Sequence, residues 1–368
     1  MALTRIQPPA IADVREPNFR NIIINGDMAV AQRTTSAASI TSAGFKTVDR
    51  FYTGVTTAGT WTQSQDTDVP SGEGFATSLK MDCTTADGSL AAGDLVQLVQ
   101  YVEGQNLQYL KWGTAYAQSL TLSFWVKSVL TGTYIAELRN SDNTRTICAS
   151  YTISSGSTWE KKTITFAGDT NSGPANDNGE GLRLTLWLAA GSTYTSGTLA
   201  TSWETTTQAN RAVGQVNLAS STSNNFWITG IQLETGSVAT DFEVISYPQN
   251  LERCYRYYRK YKFTEMQYFG GMSTFSTTQG HGWYFFFDKA MRADITVSTS
   301  AVSDWKAVDT AGNFSAVLSG QTLRGSQWGI EDGTFTVSSG TPFNASSGFT
   351  WIACADLTNG YIDADAEL

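Results

Sequence analysis

The sequence predicts a mainly β protein: a large N-terminal β-sandwich and a smaller C-terminal β-domain, joined by a short helical connector. Three observations predict it. Only 15% of the 368 residues are charged against 41% hydrophobic, so the polar bulk comes from Ser, Thr, Asn and Gln, with 33 glycines as punctuation. Short runs alternate with period two: Leu120, Leu122, Phe124 and Val126 against Thr121, Ser123 and Lys127, and again Leu182, Leu184, Leu186 and Leu188. Few windows carry helical periodicity, and turn formers separate the apolar runs as they do in sandwiches.

Residues 1–20 carry Pro8, Pro9 and Pro17 without periodicity and read as an extended N-terminal arm. In Asn21–Arg33, NIIINGDMAVAQR, the Ile22–Ile24 run predicts a buried strand closed by an Asn25-Gly26 turn. Phe45–Tyr52, FKTVDRFY, predicts a second strand, with a Thr/Ser/Ala loop between the two. Nine further strands are expected at 60–63, 77–81, 94–101, 120–127, 133–140, 146–152, 160–166, 181–188 and 226–233, enough for two packed sheets over residues 21–245.

The last of these is interrupted. Phe226 and Ile228 share one face, but Ile231 and Leu233 share the next, and the phase changes at Gly230 as it does at a β-bulge. Pro248 then opens a connector, 246–262, where Leu251, Tyr255, Tyr258 and Lys262 fall at helical spacing. Residues 263–368 hold short aromatic and alternating runs, a second β-domain large enough for its own core.

A formal charge of −9 argues against nucleic-acid binding, which needs a basic footprint. The four cysteines (Cys83, Cys148, Cys254, Cys354) are far apart, which disfavours a disulfide framework or a zinc site. The opening MALTRIQPPAIADV has no long apolar core, so no secretory signal is expected, and no run is long enough for membrane insertion.

The segment N-I-I-I-N-G-D-M-x-V-x-Q-R, followed by G-F-x-T-V-D-R-F, resembles the opening of a family of bacteriophage virion proteins of the tail-fibre or appendage type. F-W-I-T-G-I-Q-L-E-T-G-S-V-A-T-D-F-E with C-Y-R-Y-Y, M-R-A-D-I-T-V and the terminal A-D-A-E-L extend the resemblance along the chain. It departs at Gln32-Arg33-Thr34, where the family more often has glycine after the arginine. The resemblance implies that residues 21–245 form a jelly-roll, galactose-binding-like domain and that the protein is a virion component assembled in the host bacterial cytoplasm.

Catalytic chemistry finds little footing. His281 is the sole histidine, set between glycines in an expected loop with no nucleophile motif near it. Asp169 and Asp177, in GDTNSGPANDNGEG, are weak calcium candidates, since the run departs from the helix–loop–helix ligand pattern and its residues are common turn formers. Trp61, Trp112, Trp159 and Trp203 lie near turns or strand ends and are the candidates for stacking a sugar ring, whereas Trp125, Trp187 and Trp227 sit within strands and are expected in the core. Arg253, Tyr255, Arg256, Tyr258 and Arg259 are the candidates for a domain or subunit interface, their arginine stems covering aromatic rings.

The functional expectation is a non-enzymatic structural protein of a virion fibre, knob or appendage, without cofactors. It forms a homo-oligomer (a trimer), meets other virion proteins through its arm and binds host-surface glycan. A capsid-decorating cement protein and a glycan-degrading enzyme are the alternatives.

Overall fold

The computed structural model describes residues 19–263, 268–274, 279–283, 285–309, 314–337, 350–354 and 360–368; the expected arm, but for its last two residues, lies outside them. The chain divides into two compact units, Met1–Ser246 and Tyr247–Leu368. Among the described residues no helix is long and apolar enough to cross a membrane.

The first unit is built on eleven antiparallel strands: β1 (Ser36–Phe45), β2 (Tyr52–Asp66), β3 (Ser78–Thr85), β4 (Leu95–Glu103), β5 (Leu120–Ser128), β6 (Gly132–Asn140), β7 (Arg145–Ile153), β8 (Glu160–Phe166), β9 (Glu180–Ala190), β10 (Glu204–Thr205) and β11 (Asn225–Thr235). One strand makes the sandwich possible. The first part of β2, Tyr52–Thr56, pairs with β4, while Thr60–Asp66 pairs with β3. Between them Thr57 and Gly59 take φ of 47° and 74°, so the strand bends and passes from one sheet to the other. A side chain on Gly59 would bring its β-carbon within 2.4 Å of the Thr85 carbonyl oxygen, so glycine is required at this corner.

The half order is β10-β7-β6-β9-β4-β2 on one side and β2-β3-β11-β5-β8 on the other, with β1 appended to β2. The halves face each other across an apolar core. Phe124 of β5 meets Tyr151 of β7 edge-on at 5.1 Å, and Phe226 of β11 lies 5.8 Å from Tyr134 of β6. Leu120, Leu122, Phe124, Val126, Leu182, Leu184, Leu186 and Leu188 all point into it, and each contributes about 1.5–3 kcal/mol by burial. All nine strands expected between 60 and 233 are present.

The two opening strands are not. Asn21–Arg33 is irregular backbone, although Ile23, Met28 and Val30 are buried. Asparagine side chains substitute for a ladder there. Asn21 donates through Nδ2 to Ile231 O (2.9 Å) and accepts from Ile23 N and Leu233 N, while Asn25, at φ 62°, exchanges bonds with Val30. Residues 46–51 of FKTVDRFY form a buried turn with Arg50 at φ 72°, and the Thr/Ser/Ala stretch expected as loop is β1. Burial beneath the sheets, rather than strand pairing, explains the apolar content of both segments.

The outer face of the first half-sheet is covered by residues 191–217, which include α1 (Ser192–Thr195). Beneath them Glu137, fully buried, receives Arg211 Nε (2.8 Å) and Nη2 (3.0 Å), Trp187 Nε1 (2.9 Å) and Thr146 Oγ1 (2.8 Å).

The second unit begins with α2 (Tyr247–Tyr255). The helix expected to reach Lys262 stops there: residues 258–262 form β12 (Tyr258–Lys262), zipped to β21 (Tyr361–Asp365), which also pairs with β16 (Thr296–Thr299). The tyrosine spacing that suggests a longer helix is overridden by this tertiary pairing, which continues in Ala366 N donating to Tyr257 O at 2.8 Å. A further set, β13 (Tyr268–Thr274), β14 (Gln279–Trp283), β15 (Phe285–Phe286), β17 (Trp305–Asp309), β18 (Phe314–Ser326), β19 (Gly329–Val337) and β20 (Thr350–Cys354), closes on itself because β14 pairs with both β13 and β19. His281 therefore lies in a strand, opposite Ser273 and Thr334, and not in a loop.

Candidate functional site

The bulge in β11 organises the site. Opposite β5, Thr229 pairs with Trp125 and Gln232 with Ser123, so Gly230 and Ile231 together face one residue. Gly230 takes φ 62°, a conformation that suits glycine, and the inward phase passes from Phe226 and Ile228 to Ile231 and Leu233. The bulge also presents the Ile231 N–H and carbonyl to the irregular N-terminal segment, where they bond Gly26 O and Asn21 Nδ2, both at 2.9 Å.

On the outward side of this half-sheet lies a cleft of about 320 Å³. Its floor is Trp125, with Ser123 beside it on β5 and Lys161 opposite it on β8. Parity puts Trp125 there: Phe124 and Val126 on either side are fully buried inward, so Trp125 must point outward and is half-buried. One lip is the loop before β3, contributing Glu73, Gly74, Phe75, Ala76 and Thr77; the other is the segment after β11, contributing Asp241, Phe242 and Val244. Phe75 and Phe242 meet edge-on with ring centroids 5.1 Å apart, closing the lips at one point. Asp27, Ala29 and Gly230 complete the lining.

The wall after β11 is held from beneath by Gln232, which is fully buried. Its Oε1 accepts Glu243 N (2.8 Å), and its Nε2 donates to Glu234 Oε1 (2.9 Å), Thr240 Oγ1 (3.2 Å) and Asp241 O (3.2 Å). Arg20 and Asn21 clamp the same segment from outside: their backbone N–H groups donate to the Glu243 carboxylate at 3.0 and 2.9 Å, and Arg20 Nη2 donates to Asp241 O at 2.6 Å. A wall built from a loop is thus fixed at several points before any ligand arrives, which lowers the ordering cost of binding.

Chemically, the cleft offers an aromatic platform, three carboxylates (Asp27, Glu73, Asp241), one ammonium (Lys161) and the hydroxyls of Ser123 and Thr77. A flat apolar surface with hydrogen-bonding groups around its edge matches a sugar ring, whose C–H face stacks while its hydroxyls bond sideways.

Beside it on the same face is a second aromatic group with a different use. The Trp227 ring carries Lys127 Nζ at 4.3 Å and Lys80 Nζ at 5.2 Å, and Trp159 lies 5.5 Å from Lys127 Nζ. Lys127 also pairs with Asp68, to which Trp159 Nε1 donates at 2.9 Å. Burial opposes ionisation of Asp68, yet the hydrogen bonds from Lys127 and Trp159 outweigh it and hold the carboxyl below its usual range.

Of the four expected sugar-stacking tryptophans, none lines the cleft. Trp61 is fully buried, its Nε1 bonded to Ala58 O at 2.8 Å, so it is a core residue. Trp112 is 6% exposed and packs edge-on against Trp203 at 5.1 Å, while Trp203 Nε1 is bonded to Ala167 O. Trp159 is half-buried against Lys127. Conversely, Trp125 and Trp227, expected in the core, are outward, and only Trp187 is buried as expected.

The other expected site residues also change role. Asp169 is fully buried with Arg145 Nε at 2.7 Å from its carboxylate, and Asp177 accepts Gly179 N at 2.9 Å in a turn. Among the described residues no group of three or more His, Cys, Asp or Glu gathers as for a metal. Arg259, 5% exposed, works within its own unit: Nη1 bonds Asp288 Oδ1 at 2.9 Å, Nη2 bonds Lys289 O at 3.0 Å, and the guanidinium covers Phe287 at 4.6 Å. Tyr258 is buried, and Arg253, Tyr255 and Arg256 are half-buried in the same corner. Arg259 and Tyr258 thus pack within the second unit.

No family model matches the sequence, and no curated protein matches it. Among solved structures, the chain is similar to the enzymatically active domain of tailspike protein 4 of bacteriophage CBA120, with TM-score 0.31 and 13% identity over 59% of this chain. It spans 21% of that tailspike chain. It is also similar to TmCBM61 in complex with β-1,4-galactotriose (TM-score 0.28, 11% identity, 59% of this chain and 99% of that one). A third is the arabinose-bound α-L-arabinofuranosidase MgGH51 (TM-score 0.29, 9% identity, 58% of this chain and 26% of that one).

Proposed function

We propose that the protein is a glycan-binding component of a phage virion appendage, and that the Trp125 cleft is where the glycan sits. The observation that carries the binding half of this reading is a half-buried indole at an outward strand position, flooring a cleft whose lips carry carboxylates and whose wall is fixed beforehand. Among the described residues most tryptophans are spent on packing or on cation contacts, so an outward indole in a concavity has the marks of a ligand platform. The virion half rests on the sequence resemblance of the segments at 21–52, 225–262, 291–297 and 364–368. It carries with it the expectation of a homo-oligomer held on the particle by the N-terminal arm. Immunogold labelling of intact particles tests it: label on a tail appendage supports it, and label on the head favours the cement-protein alternative.

A second reading follows from the carboxylates in the same cleft. Two carboxylic acids flanking a bound sugar are the equipment of glycoside hydrolysis. Release of reducing ends from a bound oligosaccharide by the pure protein, abolished in Glu73→Gln or Asp241→Asn, would establish it; binding without release supports the non-enzymatic reading.

A further inference from the structure

We propose that the cleft selects an uncharged glycan and discriminates against acidic ones; this rests on the Trp125 cleft being the glycan site. The lining carries three carboxylates against one ammonium, a net of two negative charges around a space for one or two sugar rings. Glu73 and Asp241 stand on opposite lips, two residues and one residue from the rings of Phe75 and Phe242 that touch, so both flank the same mouth. Both are exposed, as is Lys161.

The basic groups nearest the mouth do not reverse this balance. Lys127, two residues along β5 from Trp125, is paired with Asp68 and lies over Trp227. Lys80 lies over the same ring. Arg20 is engaged with Glu234 at 3.4 Å and with the Asp241 carbonyl. Ionised carboxylates only accept hydrogen bonds, so they suit a ring that offers hydroxyl donors, especially a vicinal pair. A uronate, sialate, sulfate or phosphate brings acceptors and a like charge to the same mouth, and both features oppose binding.

The test is calorimetric titration of the full chain with matched trisaccharides, neutral and uronate forms, in gluco, galacto and manno configurations, at low and high salt. The expected result is that the best neutral trisaccharide binds about tenfold or more tighter than its uronate counterpart at low salt. The gap should shrink at high salt, because exposed charges are screened. It should also narrow in the Glu73→Gln/Asp241→Asn variant, whose exposed positions leave the fold intact by circular dichroism. Equal or tighter binding of a uronate form, still lost in Trp125→Ala, overturns the charge selection while leaving the site in place. Binding that is indifferent to Trp125→Ala, or absent for every sugar, overturns the site itself and the selection with it.

Discussion

The ring of Phe75 occupies the place where a side chain on Gly230 would go: a β-carbon built there comes within 2.6 Å of Phe75 Cζ. The bulge of β11 and one lip of the cleft are therefore a single packing unit. Gly230→Ala meets two penalties, a left-handed backbone at φ 62° and displacement of the ring. The backbone alone costs roughly 1–2 kcal/mol. Denaturant unfolding should show a lowered midpoint with unchanged slope, and an unaltered midpoint would contradict the role given to the bulge.

Gln232 is the pin for the other lip. Gln232→Ala removes bonds to Glu243 N, Asp241 O, Thr240 and Glu234 at a fully buried position, with an expected loss of about 1–3 kcal/mol. Arg20→Ala, at a side chain 34% exposed, should cost less than about 1 kcal/mol. Hydrogen exchange should report faster opening of residues 240–244 in Gln232→Ala than in Arg20→Ala. The reverse order would contradict the assignment.

Breaking the buried Glu137–Arg211 pair should be strongly destabilising. Arg211→Ala leaves a fully buried carboxylate with Trp187 and Thr146 as its remaining donors. The expected cost is about 3–5 kcal/mol, read by thermal or denaturant unfolding. A loss below about 1 kcal/mol would mean that the cover of residues 191–217 does not depend on this pair.

Two aspartates should move in opposite directions with pH. Burial pushes the Asp49 carboxyl above its ordinary 3.8, against hydrogen bonds from Gln32 and the charges of Arg33 and Arg50. The folded state then holds this proton above pH 3.8, so the contribution is full below that pH and is lost as pH rises through the folded value. Asp68 has the opposite sign: its depressed carboxyl stabilises above pH 3.8, and that contribution is lost as pH falls through the folded value. Carboxyl-carbon NMR titration should place Asp49 above and Asp68 below the ordinary aspartate range.

How much of this was legible in the sequence depends on what each residue answers to. Period-two alternation marks β5, β9 and β11 because each has one face in the core, and the phase change at Gly230 marks the bulge for the same reason. The same parity assigns Trp125 to the polar face of β5, with Thr121, Ser123 and Lys127. Its aromatic character points instead to the core, and that general preference is what misleads. Ile22–Ile24 reads as a strand because burial looks alike whether the backbone pairs in a ladder or is held by asparagine side chains. Phe75, Phe242 and Asp241 come from loops far apart in sequence, with the two rings that meet 167 positions apart, and no local pattern announces them.

The central claim is that Trp125 floors a glycan site, and one measurement addresses it most directly: titration of the native chain and of Trp125→Ala with the same neutral oligosaccharides. Truncating a platform of this kind should weaken binding by about tenfold or more, while Trp61 and Trp187 remain buried and the circular dichroism spectrum is unchanged. Equal affinity in the two proteins would contradict the account.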